Sequence, residues 1–182
     1  MVVCIDTNVI LQAFARGSSF APLFLAVGSG KLRIALSTSI LLEYEEISQR
    51  TGGADFASKV MNFLSLVSQV HGTVLFAEPS FQFRIIHEDP DDNKFTDCAV
   101  TADAEYVITE DADFLPLRTA GYKPQPITPS EFIARHLSEE PNPWLLNPEE
   151  WIFISLIPSE TERLRRLDRC LRYGSRSLTP RP

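Results

Sequence analysis

Residues 1–137 predict a three-layer α/β fold around a mostly parallel sheet, and two observations carry that expectation. Short apolar runs alternate with stretches of helical periodicity along this part of the chain. Two of the runs, 2–5 and 106–109, lead directly into carboxylates, the pattern of a buried parallel strand leaving the carboxyl edge of its sheet.

Val2–Ile5 reads as the first strand, with Asp6 at its carboxyl end. Thr7 and Asn8 offer caps for a helix from Val9 to about Ala15. Gly17-Ser18-Ser19 interrupts, and 21–28 forms a second short helix. Leu32–Leu36 is a strand, after which Ser37 or Thr38 caps a helix to about Arg50. Gly52-Gly53 breaks the chain. Over 57–70, Val60, Phe63, Leu64 and Val67 share one helical face. Residues 74–77 and 83–86 both read as extended. Residues 89–93 form a loop whose end caps a helix from Lys94 to about Ala102. Tyr106–Thr109 is a strand, 126–128 an edge strand and 129–137 a helix. Three prolines (141, 143 and 148) mark 138–148 as the boundary to a C-terminal extension. That extension holds Trp144, Trp151 and an expected helix from about Ser159 to Tyr173.

Composition narrows the function classes. At 182 residues with 44% apolar content, the chain can bury one full core. No apolar run approaches the ~20 residues that span a bilayer, so no membrane role is expected. The opening apolar stretch is too short for a signal peptide, and three scattered cysteines (4, 98 and 170) fit neither a disulfide framework nor a zinc site. A reducing cytoplasm is therefore the expected location. The net charge of −7 conceals an asymmetry: residues 161–182 carry seven arginines against Glu162 and Asp168, a net +5. The other 160 residues carry −12. The basic tail is either a phosphate-tracking arm or a solvated helix.

Four acidic sites stand at element boundaries: Asp6, Glu43, the loop Asp89-Pro90-Asp91-Asp92, and Asp111. Asp6 ends a strand where α/β folds bind ligands, although an Asp there also reads as a helix cap. Glu43 borders the apolar face marked by Ile40 and Tyr44; taken alone it reads equally as a solvated helix residue. The loop 88–92 holds four acids in five residues but lacks the Gly and distal Glu of an EF-hand. Asp111 repeats the geometry of Asp6 at the end of a second strand, and Asp113 is placed to cap a helix entered at Phe114. Two strands ending in Asp put two carboxylates at one end of one sheet. Carboxylates gathered there repel unless a cation sits among them, which points to a hard divalent ion with oxygen ligands acting on phosphate esters.

These motifs resemble a PIN domain. The matching pieces are Ile5-Asp6-Thr7-Asn8-Val9-Ile10-Leu11; Ser37-Thr38-Ser39-Ile40-Leu41-Leu42-Glu43-Tyr44 with Arg50 after it; Asp89-Pro90-Asp91-Asp92-Asn93 with Ala99; and Ala104 through Leu115. The resemblance covers residues 1–137 and implies a PIN-like α/β/α fold, with 138–182 as a linker and basic helical extension. The subgroup most alike is the toxin component of bacterial toxin–antitoxin pairs. The likeness implies a Mg²⁺- or Mn²⁺-dependent ribonuclease acting on single-stranded RNA. Its carboxylates would map onto Asp6, Glu43, Asp92 and Asp111, with Asp97 and Asp113 as outer or second-metal ligands and Thr7, Asn8 and Thr109 as polar supports. Implied products are a 5′-phosphate and a 3′-hydroxyl. Implied partners are RNA, an antitoxin and a second copy of the chain in a homodimer. Glu110 departs from the family, which often has Gly there, and the C-terminal extension has no counterpart in its pattern.

Rival readings fit less well. A haloacid-dehalogenase nucleophile needs a second Asp where Asn8 stands, and a receiver domain needs a mid-chain strand ending in Asp, whereas 32–36 runs into Ser-Thr-Ser. A PIN-like module that binds RNA or protein without catalysis is the alternative from another class. All four mapped acids are present, which argues against it. No aromatic stacking platform for RNA is evident within 1–137.

Overall fold

The computed structural model describes residues 1–15 and 17–137. The linker and helix expected over 138–182, with their arginines, both tryptophans and Cys170, lie outside the described residues.

Five strands form one wholly parallel sheet among the described residues: β1 (Val2–Ile5), β2 (Arg33–Leu36), β3 (Val74–Phe76), β4 (Tyr106–Ile108) and β5 (Gln125–Ile127), in the order β3-β2-β1-β4-β5. Six α-helices among the described residues connect and flank them: α1 (Thr7–Ala13), α2 (Ala21–Gly28), α3 (Thr38–His71), α4 (Asn93–Thr101), α5 (Pro116–Ala120) and α6 (Pro129–His136). The expected α/β fold is the observed one. β1 is central because its residues are apolar on both faces: Val3, Cys4 and Ile5 are all buried. From β1 the chain builds outward first on one side, through β2 and β3, and then on the other, through β4 and β5, so the strand order reverses between β1 and β4. In open parallel sheets such a reversal leaves a crevice beyond the carboxyl ends of the two strands. The register fixes what faces that crevice. Ile5 pairs with Ile108, and the Asp6 N–H bonds the Ile108 carbonyl at 3.0 Å.

Several local expectations change. Asp6, not Thr7 or Asn8, caps α1: its backbone is extended and its side chain accepts from the Asn8 N–H. The break expected at Gly52-Gly53 is present as a kink within α3: Gly53 stands at φ 77 and ψ 179, outside helical geometry, between the two expected helices. Ser37 caps α3 by accepting from the Ile40 N–H. Residues 83–86 form no strand, because the Phe83 and Ile86 N–H groups bond side chains of α4 instead.

The core fills the space between sheet and helices. Phe14, Phe24 and Phe63 tie α1, α2 and α3 together, with ring centroids 4.1 to 5.3 Å apart. Tyr106 meets Phe132 edge-on at 5.8 Å and so seats α6 against β4. Cys4 of β1 and Cys98 of α4 are free, buried thiols that hydrogen-bond each other. This bond and burial push the Cys4 thiol far up from its usual range. Among the described residues, no helix is long and apolar enough to cross a membrane.

Candidate active site

Each acid is positioned by the element it ends or begins. Asp6 follows β1 and is only 8% exposed. Its Oδ1 accepts from the Asn8 N–H (3.2 Å) and its Oδ2 from the Thr109 hydroxyl (2.7 Å). Thr109, just past β4, also accepts from the Asp111 N–H at 2.9 Å. One buried hydroxyl therefore links the carboxyl ends of two adjacent strands. Asp111 in turn accepts from the Asp113 N–H (2.9 Å) and opens the 3₁₀ turn Ala112–Phe114. Asp111 is thus the cap, the role expected of Asp113.

Glu43 reaches the same place from the second turn of α3. Its Oε1 accepts from the Thr7 hydroxyl at 2.5 Å, and its other oxygen pairs with the Lys94 ammonium. Tyr44, the next residue, is fully buried and donates to the Ile5 carbonyl, which locks α3 to the end of β1. Asp92 ends the 3₁₀ turn Pro90–Asp92 just before α4, and its side chain makes no capping bond there.

Asp6, Glu43, Asp92 and Asp111 lie near enough for their charges to act on one another. Burial pushes Asp6 up first, and the charges of Glu43 and Asp111 push the same way, against the Thr109 and Asn8 hydrogen bonds. Asp92 is raised to about 7 by burial, then by Asp6, Asp89 and Asp111, with Lys94 opposing. Asp113, on the exposed rim, is raised by loss of hydration and then by Asp111, Glu88 and Asp89. Like charges held this close favour protonation unless a cation intervenes. Asp97 is buried; its Oδ1 accepts from the Phe83 N–H (2.9 Å) and its side chain lines a neighbouring cavity.

The donor set is entirely oxygen, which suits Mg²⁺ or Mn²⁺ rather than a soft metal. Among the described residues, no three His, Cys, Asp or Glu side chains form a ready-made metal cage. The uncompensated charge on Asp92 is the observation that favours a cation here. Lys94 supplies one positive charge of the chain's own. Sequence reasoning missed it, although a lone lysine directly after Asp91-Asp92-Asn93 was a signal.

The PIN domain family model matches residues 2–113, well over half of the chain and all four acidic sites. The chain belongs to the PIN domain family. No curated protein and no solved structure matches. PIN domains are usually nucleases and generally use divalent metal ions. The match stops at Asp113, whereas the sheet of this PIN domain continues through β5, whose Ile127 carbonyl accepts from the Thr109 N–H at 3.0 Å.

Proposed function

We propose that this PIN domain is a metal-dependent endoribonuclease that cleaves single-stranded RNA, and that it serves in the cytoplasm as the toxin of a toxin–antitoxin pair. The observation that supports the nuclease reading is that Asp6, Glu43, Asp92 and Asp111 act on one another's charge near the carboxyl ends of β1 and β4, with Asp92 raised by burial and then by its neighbours. Asp6, Asp92 and Asp111 would hold one or two Mg²⁺ or Mn²⁺ ions, with Glu43 completing the set and Asp97 and Asp113 as outer ligands. A divalent ion bound there supplies activation of water and relief of charge on the phosphate. The chain's own residues do the positioning. Thr109 fixes one oxygen of Asp6, and the Asn8 N–H fixes the other. Thr7 fixes one oxygen of Glu43, and Lys94 neutralises the other. Such supports hold ligands in place and raise affinity for the ion.

The test is cleavage of a labelled single-stranded RNA with Mg²⁺, Mn²⁺ or EDTA, beside Asp6→Asn. Asn caps a helix as well as Asp does, so this variant keeps the α1 cap; it loses the charge and the second oxygen, which accepts from Thr109. Metal-dependent cleavage by wild type, lost in the variant, is expected. Equal cleavage by both would sink the site assignment. The toxin role is tested by expression alone, which should slow growth for wild type and not for Asp6→Asn.

A further inference from the structure

Residues 77–88, between β3 and the 3₁₀ turn, run without helix or strand. Two side chains of α4 hold this loop. Asp97 accepts from the Phe83 N–H (2.9 Å), while Asn93 accepts from the Ile86 N–H (3.0 Å) and donates to the Ile86 carbonyl (2.7 Å). Between the two clamps Arg84 sits at φ 51, a left-handed backbone that a residue with a side chain adopts only when its surroundings impose it. Ile86 is buried in the core, while three side chains before it face outward. Phe81 is 76% exposed, Phe83 is 49% exposed, and Arg84 is exposed and forms no ion pair among the described residues.

A cavity of about 990 Å³ opens beside the loop, with Phe81, Arg84, His87 and Lys94 among its walls. Lys94 is also the partner of Glu43, so the cavity adjoins the carboxylate centre. Three acids also line it: Asp91 is exposed, while the other two are already engaged. Glu78 accepts from the Thr38 N–H (2.7 Å) and hydroxyl (2.5 Å), and Asp97 from Phe83.

We propose that this cavity is the subsite for an unpaired nucleotide of the RNA strand beside the bond to be cut, with Phe81 against the base and Arg84 on a backbone phosphate. The proposal rests on the nuclease reading above. An exposed ring accepts any base face, and a guanidinium pairs with phosphate oxygens. The volume is that of a pocket for a small ligand, about 300–1,000 Å³. Arg84 is the cavity cation that forms no ion pair among the described residues, Lys94 being held by Glu43, and the cavity lies beside the carboxylate centre, which favours the strand being cut over a protein segment. A base must leave its duplex to meet the ring, so the subsite selects single strands.

The test is fluorescence anisotropy of a labelled single-stranded RNA with the full chain in EDTA, where cleavage is silent. Phe81→Ser and Arg84→Gln should each weaken binding about ten-fold or more, with unchanged thermal melting. Tyr122→Ser, an exposed aromatic outside the loop, should bind like wild type. Duplex RNA of the same sequence should compete poorly. Unaltered affinity in both loop variants, equal binding of duplex, or no binding by wild type would overturn the proposal. If wild type also cleaves with metal while the loop variants bind normally, the nuclease reading stands and only the subsite falls. If the loop variants lose RNA but wild type never cleaves, the subsite stands and the nuclease reading falls. Loss of a protein partner with normal RNA binding would overturn the subsite and assign this face to a protein.

Discussion

Replacing Asp92 with Asn should make the metal-free protein more stable while removing its activity. Asp92 is raised to about 7 by burial and by the charges of Asp6, Asp89 and Asp111. Measured from an ordinary Asp near ~3.9, that displacement would correspond to about 4 kcal/mol for a fully enclosed carboxyl. Asp92 is only half-buried, so solvent screening leaves about 1–2 kcal/mol. The sign is set by the direction. A carboxyl raised in the folded state binds more protons folded than unfolded, so stability is greatest below about pH 4 and is lost as pH rises through about 7. Asn carries no charge and forfeits no cap, because the Asp92 side chain makes no capping bond. At pH 8 in EDTA, the variant should melt roughly 2–8 °C above wild type. Its stability should also fall less between pH 5 and 8. Mg²⁺ or Mn²⁺ should stabilise wild type and not the variant, since only wild type gains a ligand-binding term. Calorimetric or fluorescence melts across pH, with and without metal, measure all three. A variant less stable than wild type at pH 8, with an unchanged pH slope, would refute the claim that Asp92 stands among uncompensated charges.

Two further substitutions probe the supports of the site. Thr109→Val removes the hydroxyl that donates to Asp6 and accepts from Asp111, so metal affinity or cleavage should drop about 10- to 100-fold; titration with Mn²⁺ reads the affinity directly, and unchanged binding would show that Asp6 needs no such partner. Tyr44→Phe leaves the Ile5 carbonyl without its buried donor and should cost about 1–3 kcal/mol in urea unfolding. A smaller loss would mean that the contact between β1 and α3 rests on packing alone.

The main strands of the sheet were legible because buried parallel strands are written as apolar runs, and β1 and β4 each run out into carboxylates. Asp6 and Asp111 were legible for the same reason. The split of roles within each turn was not. Whether Asp6 or Thr7 caps α1 depends on one extended backbone angle, and the same holds for Asp111 against Asp113. The loop 83–86 carried a β-like composition, but its backbone groups bond Asn93 and Asp97 across the fold. Local pattern cannot register an acceptor seven or fourteen residues away. For that reason Phe83 read as a strand residue, and the exposure of Phe81 and Phe83 became visible only with the path of the loop. Lys94 escaped notice because its meaning lies in Glu43, which is distant in sequence.

The hydrogen-bonded thiols of Cys4 and Cys98 sit on the seam between β1 and α4, the elements that lead into Asp6 and out of Asp92. Neither thiol meets solvent while that seam is shut, and Cys4 is held strongly in its unreactive protonated form. A thiol reagent can therefore capture them only during transient opening of the fold. Their labelling rate becomes a clock for how often the two halves of the carboxylate cluster part, and a cation drawn into that cluster should slow the clock.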